Sequence, residues 1–163
     1  MSDTLSVRVG IGYDSHRFEP GGPLVLGGVR IALDYHLHGH SDGDAIAHAV
    51  TDAVLGATAL GDIGAMFSDT DAENAGRDSI EMLVVAVDRL RGAGWRVGQV
   101  DVVVIAESPR IAPHREAMRQ RLAGAVGVDV ADVSIKGKTN EGMGFVGRGE
   151  GIACIATATV VRS

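Results

Sequence analysis

Apolar and polar residues alternate from Val7 through Ile11 to Tyr13, with Arg8, Gly10, Gly12 and Asp14 between them, and the pattern predicts a first strand over residues 7–18. Residues two apart in a strand point to one side, so Asp14 and His16 face the same way. Pro20-Gly21-Gly22-Pro23, then Leu24–Leu26, Gly27-Gly28 and Val29–Ile31, predict a turn and a small hairpin. The period lengthens at Asp44: Ala45, Ile46, Ala49, Val50, Ala53, Val54 and Ala57 predict a helix over about 44–60, closed by Gly61-Asp62-Ile63-Gly64. Residues 65–76 hold no period and predict an acidic loop. Asp78-Ser79-Ile80-Glu81 opens a second helix in capping-box style, with Leu83, Ala86, Val87 and Leu90 inward and a stop at Gly92 and Gly94. The β-branched run 100–106 predicts a central strand. A rigid turn over 107–113 follows, with Pro113 at the first position of a helix that buries Met118, Leu122 and Ala125 and ends at Gly127. Residues 133–136 predict another strand, and 152–161 a last one, apolar on both faces, with Cys154 packed in it.

Composition narrows the setting. Aromatic residues are 4% of the chain against 45% hydrophobic, so the core is expected to be Val, Ala, Leu and Ile. Glycine, 23 of 163, is about twice its usual ~7% share, which implies tight turns and close backbone approaches. A net charge of −6 argues against nucleic acid as a partner. It leaves room for a small anionic substrate, because metals and backbone N–H groups hold phosphate locally. One cysteine forbids an intrachain disulfide and fits a cytoplasmic setting. No run approaches the ~18 apolar residues of a membrane span, and residues 1–8 lack a signal-peptide core.

Candidate chemistry gathers in 36–52, which holds His36, His38, His40 and His48 with Asp42, Asp44 and Asp52. Ser41, Asp42 and Asp44 can supply oxygens to the helix start. Asp44, His48 and Asp52 are four apart and share a helical face, so a carboxylate there could orient the His48 ring. Asp14, His16 and His48 together make the two-histidine, one-carboxylate set of a zinc site with an open position. By residue type alone, His36, His38 and His40 compete for that role, and the Asp14–His16 pair also fits a polar strand end. Residues 137–151 carry six glycines with Lys138, Thr139, Glu141 and Arg148, a loop suited to anions or metal. Their spacing matches neither the P-loop nor the dinucleotide fingerprint.

Several segments, in order, resemble the 2-C-methyl-D-erythritol 2,4-cyclodiphosphate synthase family: Gly-Tyr-Asp-Ser-His at 12–16, Leu-Gly-Gly-Val at 26–29 and His-Ser-Asp-Gly-Asp-Ala at 40–45. Leu-Gly-Asp-Ile-Gly at 60–64, Asp-Thr-Asp at 69–71 and Gly-Phe-Val-Gly-Arg-Gly-Glu-Gly-Ile-Ala at 144–153 continue the series, so the resemblance spans nearly the whole chain. It implies Zn2+ on Asp14, His16 and His48, and a second cation, Mg2+ or Mn2+, on Glu141. It implies that 4-diphosphocytidyl-2-C-methyl-D-erythritol 2-phosphate is cyclised in the non-mevalonate isoprenoid pathway, with release of CMP. His40 and Thr139 would stabilise the phosphates and Ser41 orient them. Asp62, Ile63 and Gly64 would hold the methylerythritol part, with Phe67, Ser68, Asp69, Thr70 and Asp71 nearby. Ser15 and the 138–141 stretch, Lys138-Thr139-Asn140-Glu141, would also touch substrate. The turn Ala106-Glu107-Ser108-Pro109-Arg110-Ile111-Ala112 would hold cytosine, mostly through backbone groups.

The resemblance further implies a homotrimer with each site between two subunits, and Phe145, Arg148 and Glu150 near a three-fold axis able to take an isoprenoid diphosphate. The chain departs from the family pattern at Lys138 and Asn140, where threonines are common, and at Glu107 and Arg110. The expected architecture is a single α+β domain over residues 1–163, with a mainly four-stranded mixed sheet and helices on one face, assembled as a trimer. Two other chemistries use the same residues: a zinc phosphoesterase that activates water, and a non-enzymatic trimer that binds isoprenoid diphosphates through Arg148.

Overall fold

The computed structural model describes residues 6–163. Its elements run β1 (Val7–Pro20), β2 (Leu24–Leu26), β3 (Val29–Ile31), β4 (Tyr35–Leu37), α1 (Ala45–Thr58) and α2 (Ile63–Met66), then a 3-10 turn at Ala72–Asn74. They continue with α3 (Ser79–Gly92), β5 (Trp95–Ile105), α4 (Arg115–Val126), a second 3-10 turn at Val130–Asp132, β6 (Val133–Lys138), α5 (Gly144–Gly147) and β7 (Gly151–Arg162). The main sheet is five-stranded, ordered β4-β1-β7-β5-β6, and β2 pairs with β3 as a separate hairpin. Only the β5–β6 pair is parallel, so the sheet is mixed.

The expectation of four strands therefore falls one short. The fifth is β4, three residues that pair with the tail of β1, Phe18 opposite Leu37. Tyr35-His36-Leu37 is too short to carry a period; the strand exists because β1 runs on to Pro20 and offers it an edge. Other boundaries move as well. β5 begins at Trp95, ahead of the β-branched run, and α4 begins after Pro113, which lies in a turn closed by the His114 N–H on the Ile111 carbonyl at 2.9 Å.

One sheet face is covered by α1, α3 and α4. Across it, Gly10, Gly12 and Asp14 of β1 stand beside Ala158, Ala156 and Cys154 of β7, which stand beside Val100, Val102 and Val104 of β5. Those β7 and β5 side chains are all buried, and each buried valine contributes roughly 1.5–3 kcal/mol over an exposed one. β7 is apolar on its inner face but mixed on the other, where Ile155 alternates with Thr157 and Thr159.

Strand β1 and helix α1 meet backbone to backbone. A Cβ added at Gly10 would stand 1.9 Å from the Ala53 carbonyl oxygen, and one at Gly12 only 1.8 Å from that of Ala49. The helix therefore lies directly on the strand backbone, and small residues on both elements allow it. Asp44 locks its start. The fully buried carboxylate accepts N–H bonds from Ala47 at 3.1 Å, Gly27 at 2.8 Å and Gly28 at 2.7 Å, joining the β2–β3 turn to the helix cap. Burial still pushes its pKa above the ordinary value.

Gly12→Ala is expected to cost at least ~1–3 kcal/mol, because backbone rather than a flexible side chain must give way. Chemical denaturation of the metal-free protein measures it. Unchanged stability would contradict the backbone contact.

Candidate active site

The β1–α1 contact fixes three side chains. Asp14 and His16 follow Gly12 on the same face of β1, and His48 precedes Ala49, whose carbonyl lies over Gly12. Asp14 Oδ2 is 2.7 Å from His16 Nε2 and 3.2 Å from His48 Nδ1, and the two ring nitrogens are 3.2 Å apart. Among the described residues these three form a group whose ligand atoms converge as a metal's would. A tetrahedral zinc with bonds of ~2.0–2.1 Å sets its ligand atoms roughly 3.3 Å apart, so the triad fits a small borderline-soft cation with little adjustment. All three side chains keep partial exposure, 26%, 16% and 11%, which leaves an open side for a further ligand.

Electrostatics agree with a site built for charge. Burial raises the Asp14 pKa, but hydrogen bonds and charge from His16 and His48 outweigh it, and the carboxyl ends below its ordinary value. Burial lowers that of His16, but the Asp14 carboxylate outweighs it and raises the imidazole above its ordinary value. The outer ring nitrogens are also occupied. His16 Nδ1 meets the His38 carbonyl, and His48 Nε2 lies 2.8 Å from Ser79 Oγ and 3.0 Å from Ser41 Oγ.

Asp44 and Asp52, expected to orient the His48 ring, are both engaged elsewhere. Asp44 caps α1, and Asp52 accepts the Ile63 N–H at 2.7 Å. Spacing of four places residues on a common face but says nothing of competing backbone donors. The residues that do hold the ring, Ser79 and, behind it, Asp42, were not anticipated together. Thirty-seven residues separate them, and in the sequence each had its own explanation as a helix-start residue. His36 and His38 both turn to Glu19, at 3.7 and 3.0 Å, outside the triad.

The triad opens into a pocket of about 600 Å3 that His40, Ser41, Ile63, Gly64, Phe67 and Asp69 also line. His40 Nε2 donates to the Asp71 carbonyl at 3.1 Å. Asp62 caps α2 through the Ala65 N–H at 2.7 Å, so with Asp52 it sets the backbone at 63–65. Ser68 and Thr70 share a 2.8 Å hydroxyl contact. The second group of expected residues lies apart. Ala106, Glu107, Pro109, Arg110, Ile111 and Ala112 line a separate pocket of about 350 Å3 with Lys138 and Thr139. Asp14 and Gly137 share one cross-sheet row but are three strand steps apart, about 14 Å at ~4.8 Å per step.

Within that second group Glu107 turns to the chain itself, accepting N–H bonds from Asn140 at 3.0 Å and Gly142 at 3.2 Å. These bonds flank Glu141, which holds a left-handed φ of 52°. Ser108 Oγ contacts Tyr35 Oη at 3.0 Å. Ser15 alternates out of the triad face and lines a third pocket, of about 560 Å3, with Arg17, Phe18, Phe145 and Glu150. Arg148 pairs with Glu150 at 3.0 Å.

A mixed-sheet α+β fold carrying an Asp-His-His cluster in an open pocket is the class of protein these observations define. The chain belongs to the YgbB family, whose model matches residues 7–161. It is 63% identical over 158 residues to the 2-C-methyl-D-erythritol 2,4-cyclodiphosphate synthase of Gemmatimonas aurantiaca, covering 97% of this chain and 95% of that one. The synthase of Pasteurella multocida is 48% identical over 157 residues, 96% of this chain and 99% of its own. Among solved structures, the IspF CDP complex of Plasmodium falciparum superposes with a TM-score of 0.84 at 32% identity, covering 97% of each chain. The bifunctional IspDF of Campylobacter jejuni gives 0.94 at 37% identity, matching 98% of this chain but 43% of that longer one.

His48→Ala is expected to abolish tight zinc binding by the purified protein, measured by competition with a chromogenic chelator. The metal-free variant should unfold near the wild-type temperature, since the ring is tied mainly to other site groups. Retained stoichiometric zinc of wild-type affinity would contradict the ligand set.

Proposed function

We propose that this chain converts 4-diphosphocytidyl-2-C-methyl-D-erythritol 2-phosphate to 2-C-methyl-D-erythritol 2,4-cyclodiphosphate and CMP, a phosphorus–oxygen lyase of the non-mevalonate isoprenoid pathway. The observation that carries the reading is the convergence of Asp14, His16 and His48 at the mouth of a pocket lined by His40 and Ser41, in a chain similar throughout to proteins of that name. The similarity to a CDP complex supports a cytidine nucleotide as the ligand class.

In the reaction an oxygen of the 2-phosphate bonds to the β-phosphorus. The bond from that phosphorus to the oxygen bridging to the α-phosphate breaks, and its electron pair leaves on CMP. Both reacting groups are anions, so the protein's task is to bring them together and neutralise charge. Asp14, His16 and His48 would hold Zn2+, and Glu141 Mg2+ or Mn2+, and such cations supply fixed positive charge to phosphate oxygens. His40 and Ser41 line the pocket where the phosphates would sit, Thr139 offers them a hydroxyl donor, and Lys138 and Arg110 offer charge beside the cytosine turn. Ile63, Gly64 and Phe67 form the wall that takes the methylerythritol part and limits water. The 106–112 turn presents backbone groups to the base. Asn140 contributes its N–H to Glu107, so its role is to shape the Thr139–Glu141 loop.

The same reading makes the protein a homotrimer of single-domain chains in the cytoplasm. Two observations support assembly. The sheet face opposite the helices leaves Val7, Val9, Ile11 and Tyr13 between 54% and 70% exposed, an apolar stripe that a neighbour would cover. The triad pocket and the cytosine-turn pocket lie on distant strands, so a substrate joining the two is best served by pockets of adjacent copies. Phe145, Arg148 and Glu150 would then surround the axis, where an isoprenoid diphosphate could bind. No helix among the described residues is long and apolar enough to cross a membrane.

Phosphorus NMR of the reaction tests the function. Coupled cyclic-diphosphate signals plus CMP, lost on chelation, are expected; inorganic phosphate as the product would replace the cyclase with a phosphoesterase. Ile11→Glu tests the assembly, placing one charge per chain in the stripe. Sedimentation should show monomers with little activity, and an intact active trimer would contradict the interface.

A further inference from the structure

We propose that Ser79 and Asp42 are positioning residues that fix the tautomer of His48 when it holds a metal, keeping the Nε2 proton on Ser79 so that Nδ1 is the nitrogen that gives its lone pair beside Asp14 and His16. The inference rests on the metal reading above and adds to it two residues from outside the triad.

The direction of each proton follows from what each group can do. The Asp42 carboxylate only accepts. Its Oδ1 takes the Asp44 N–H at 3.1 Å and also meets Ser79 Oγ in a short contact, while Oδ2 takes the Ser79 N–H at 3.1 Å. The Ser79 hydroxyl therefore gives its only proton to Asp42. Its oxygen is left with lone pairs alone, and one of them faces His48 Nε2 at 2.8 Å. That contact is a hydrogen bond only if Nε2 carries the proton, and in a neutral imidazole a proton on Nε2 leaves Nδ1 bare. Nδ1 is the atom 3.2 Å from both Asp14 Oδ2 and His16 Nε2. Ser41 Oγ, 3.0 Å from Nε2 and 3.3 Å from Ser79 Oγ, can give its proton to Ser79 and accept from the ring as a weaker second partner.

His16 is set the opposite way by a simpler device. Its Nδ1 faces the His38 carbonyl, which can only accept, so Nδ1 carries a proton and Nε2, beside Asp14, is the nitrogen left to a metal. The two histidines thus present different nitrogens to one point. The His48 arrangement crosses elements: Asp42 lies in the loop before α1, and Ser79 is the first residue of α3, fully buried beside the Asp78 cap. Helix α3 is thereby tied into the metal pocket although it supplies no ligand.

The test uses the full chain, stripped of metal and titrated with Zn2+ against a chromogenic chelator, as wild type, Ser79→Ala and Ser79→Thr. Loss of an outer partner of a ligating histidine costs about 10–100-fold in metal affinity. Ser79→Ala is expected to bind zinc at least about tenfold more weakly, and Ser79→Thr, which keeps the hydroxyl, to return close to wild type. A merely structural role for Ser79 would not follow the hydroxyl in this way. Wild-type affinity in Ser79→Ala, or equal weakness in Ser79→Thr, would overturn the relay. Zinc binding by none of the three would overturn the metal reading itself. A second measurement needs no variant: nitrogen-15 imidazole spectra of the zinc-loaded wild type should show His48 protonated at Nε2 and His16 at Nδ1. A His48 proton on Nδ1 would sink the proposal even if Ser79→Ala failed to fold.

Discussion

The backbone-to-backbone contact of α1 on β1 is the constraint from which the rest follows. Two glycines on the strand leave it no side chains facing the helix, and the atoms nearest to them are helix backbone. The elements then approach until the Ala49 carbonyl occupies the space where a Cβ at Gly12 would be. Once that distance is set, the residues just beyond the contact on each element must meet. Those residues are Asp14 and His16 on one side and His48 on the other. The site is thus positioned by the rigid elements of the core rather than by a loop, which gives a metal set its required precision. Asp44 secures the register by holding both the helix start and the β2–β3 turn.

Around this centre the chain sorts its polar groups by what they hold. Asp52 and Asp62 shape the 63–65 backbone, Glu107 shapes the 140–142 loop, and Asp42 and Ser79 hold His48. Each carboxylate accepts backbone N–H groups near the residues that would touch substrate, and Asp42 also takes the Ser79 hydroxyl proton. The open face of the sheet is different in kind. It carries apolar side chains with no covering element, and the triad pocket and the pocket at the 106–112 turn lie on opposite halves of the sheet. Assembly would cover the stripe and join the pockets in one step.

Much of this was legible in the sequence because period and glycine punctuation report on burial and backbone directly. The long strands β1 and β7, the helices α1 and α3 and the hairpin all stand where the patterns put them, and the Asp14–His16 pair came from the two-residue repeat of a strand. What escaped was whatever depends on a partner distant in sequence. β4 has no period of its own and exists through Phe18–Pro20. Helices α2 and α5 are single turns among glycines. Asp44 and Asp52 share a face with His48, yet nearby N–H groups claim both. Ser79 was visible only as part of a helix start, since nothing in local spacing connects it to residue 42 or 48. Of the four clustered histidines, the fold brings His48 to Asp14 and His16, while His36 on the edge strand and His38 just after it face Glu19.

The most direct measurement is an anomalous-scattering map at the zinc edge from crystals of the zinc-loaded protein. The account predicts one strong peak per chain, bonded by Asp14 Oδ2, His16 Nε2 and His48 Nδ1, with Thr139 of a second copy facing it across the pocket. A peak between Glu19, His36 and His38 with the triad bare, or a triad peak in a chain whose pocket no other copy approaches, would contradict it.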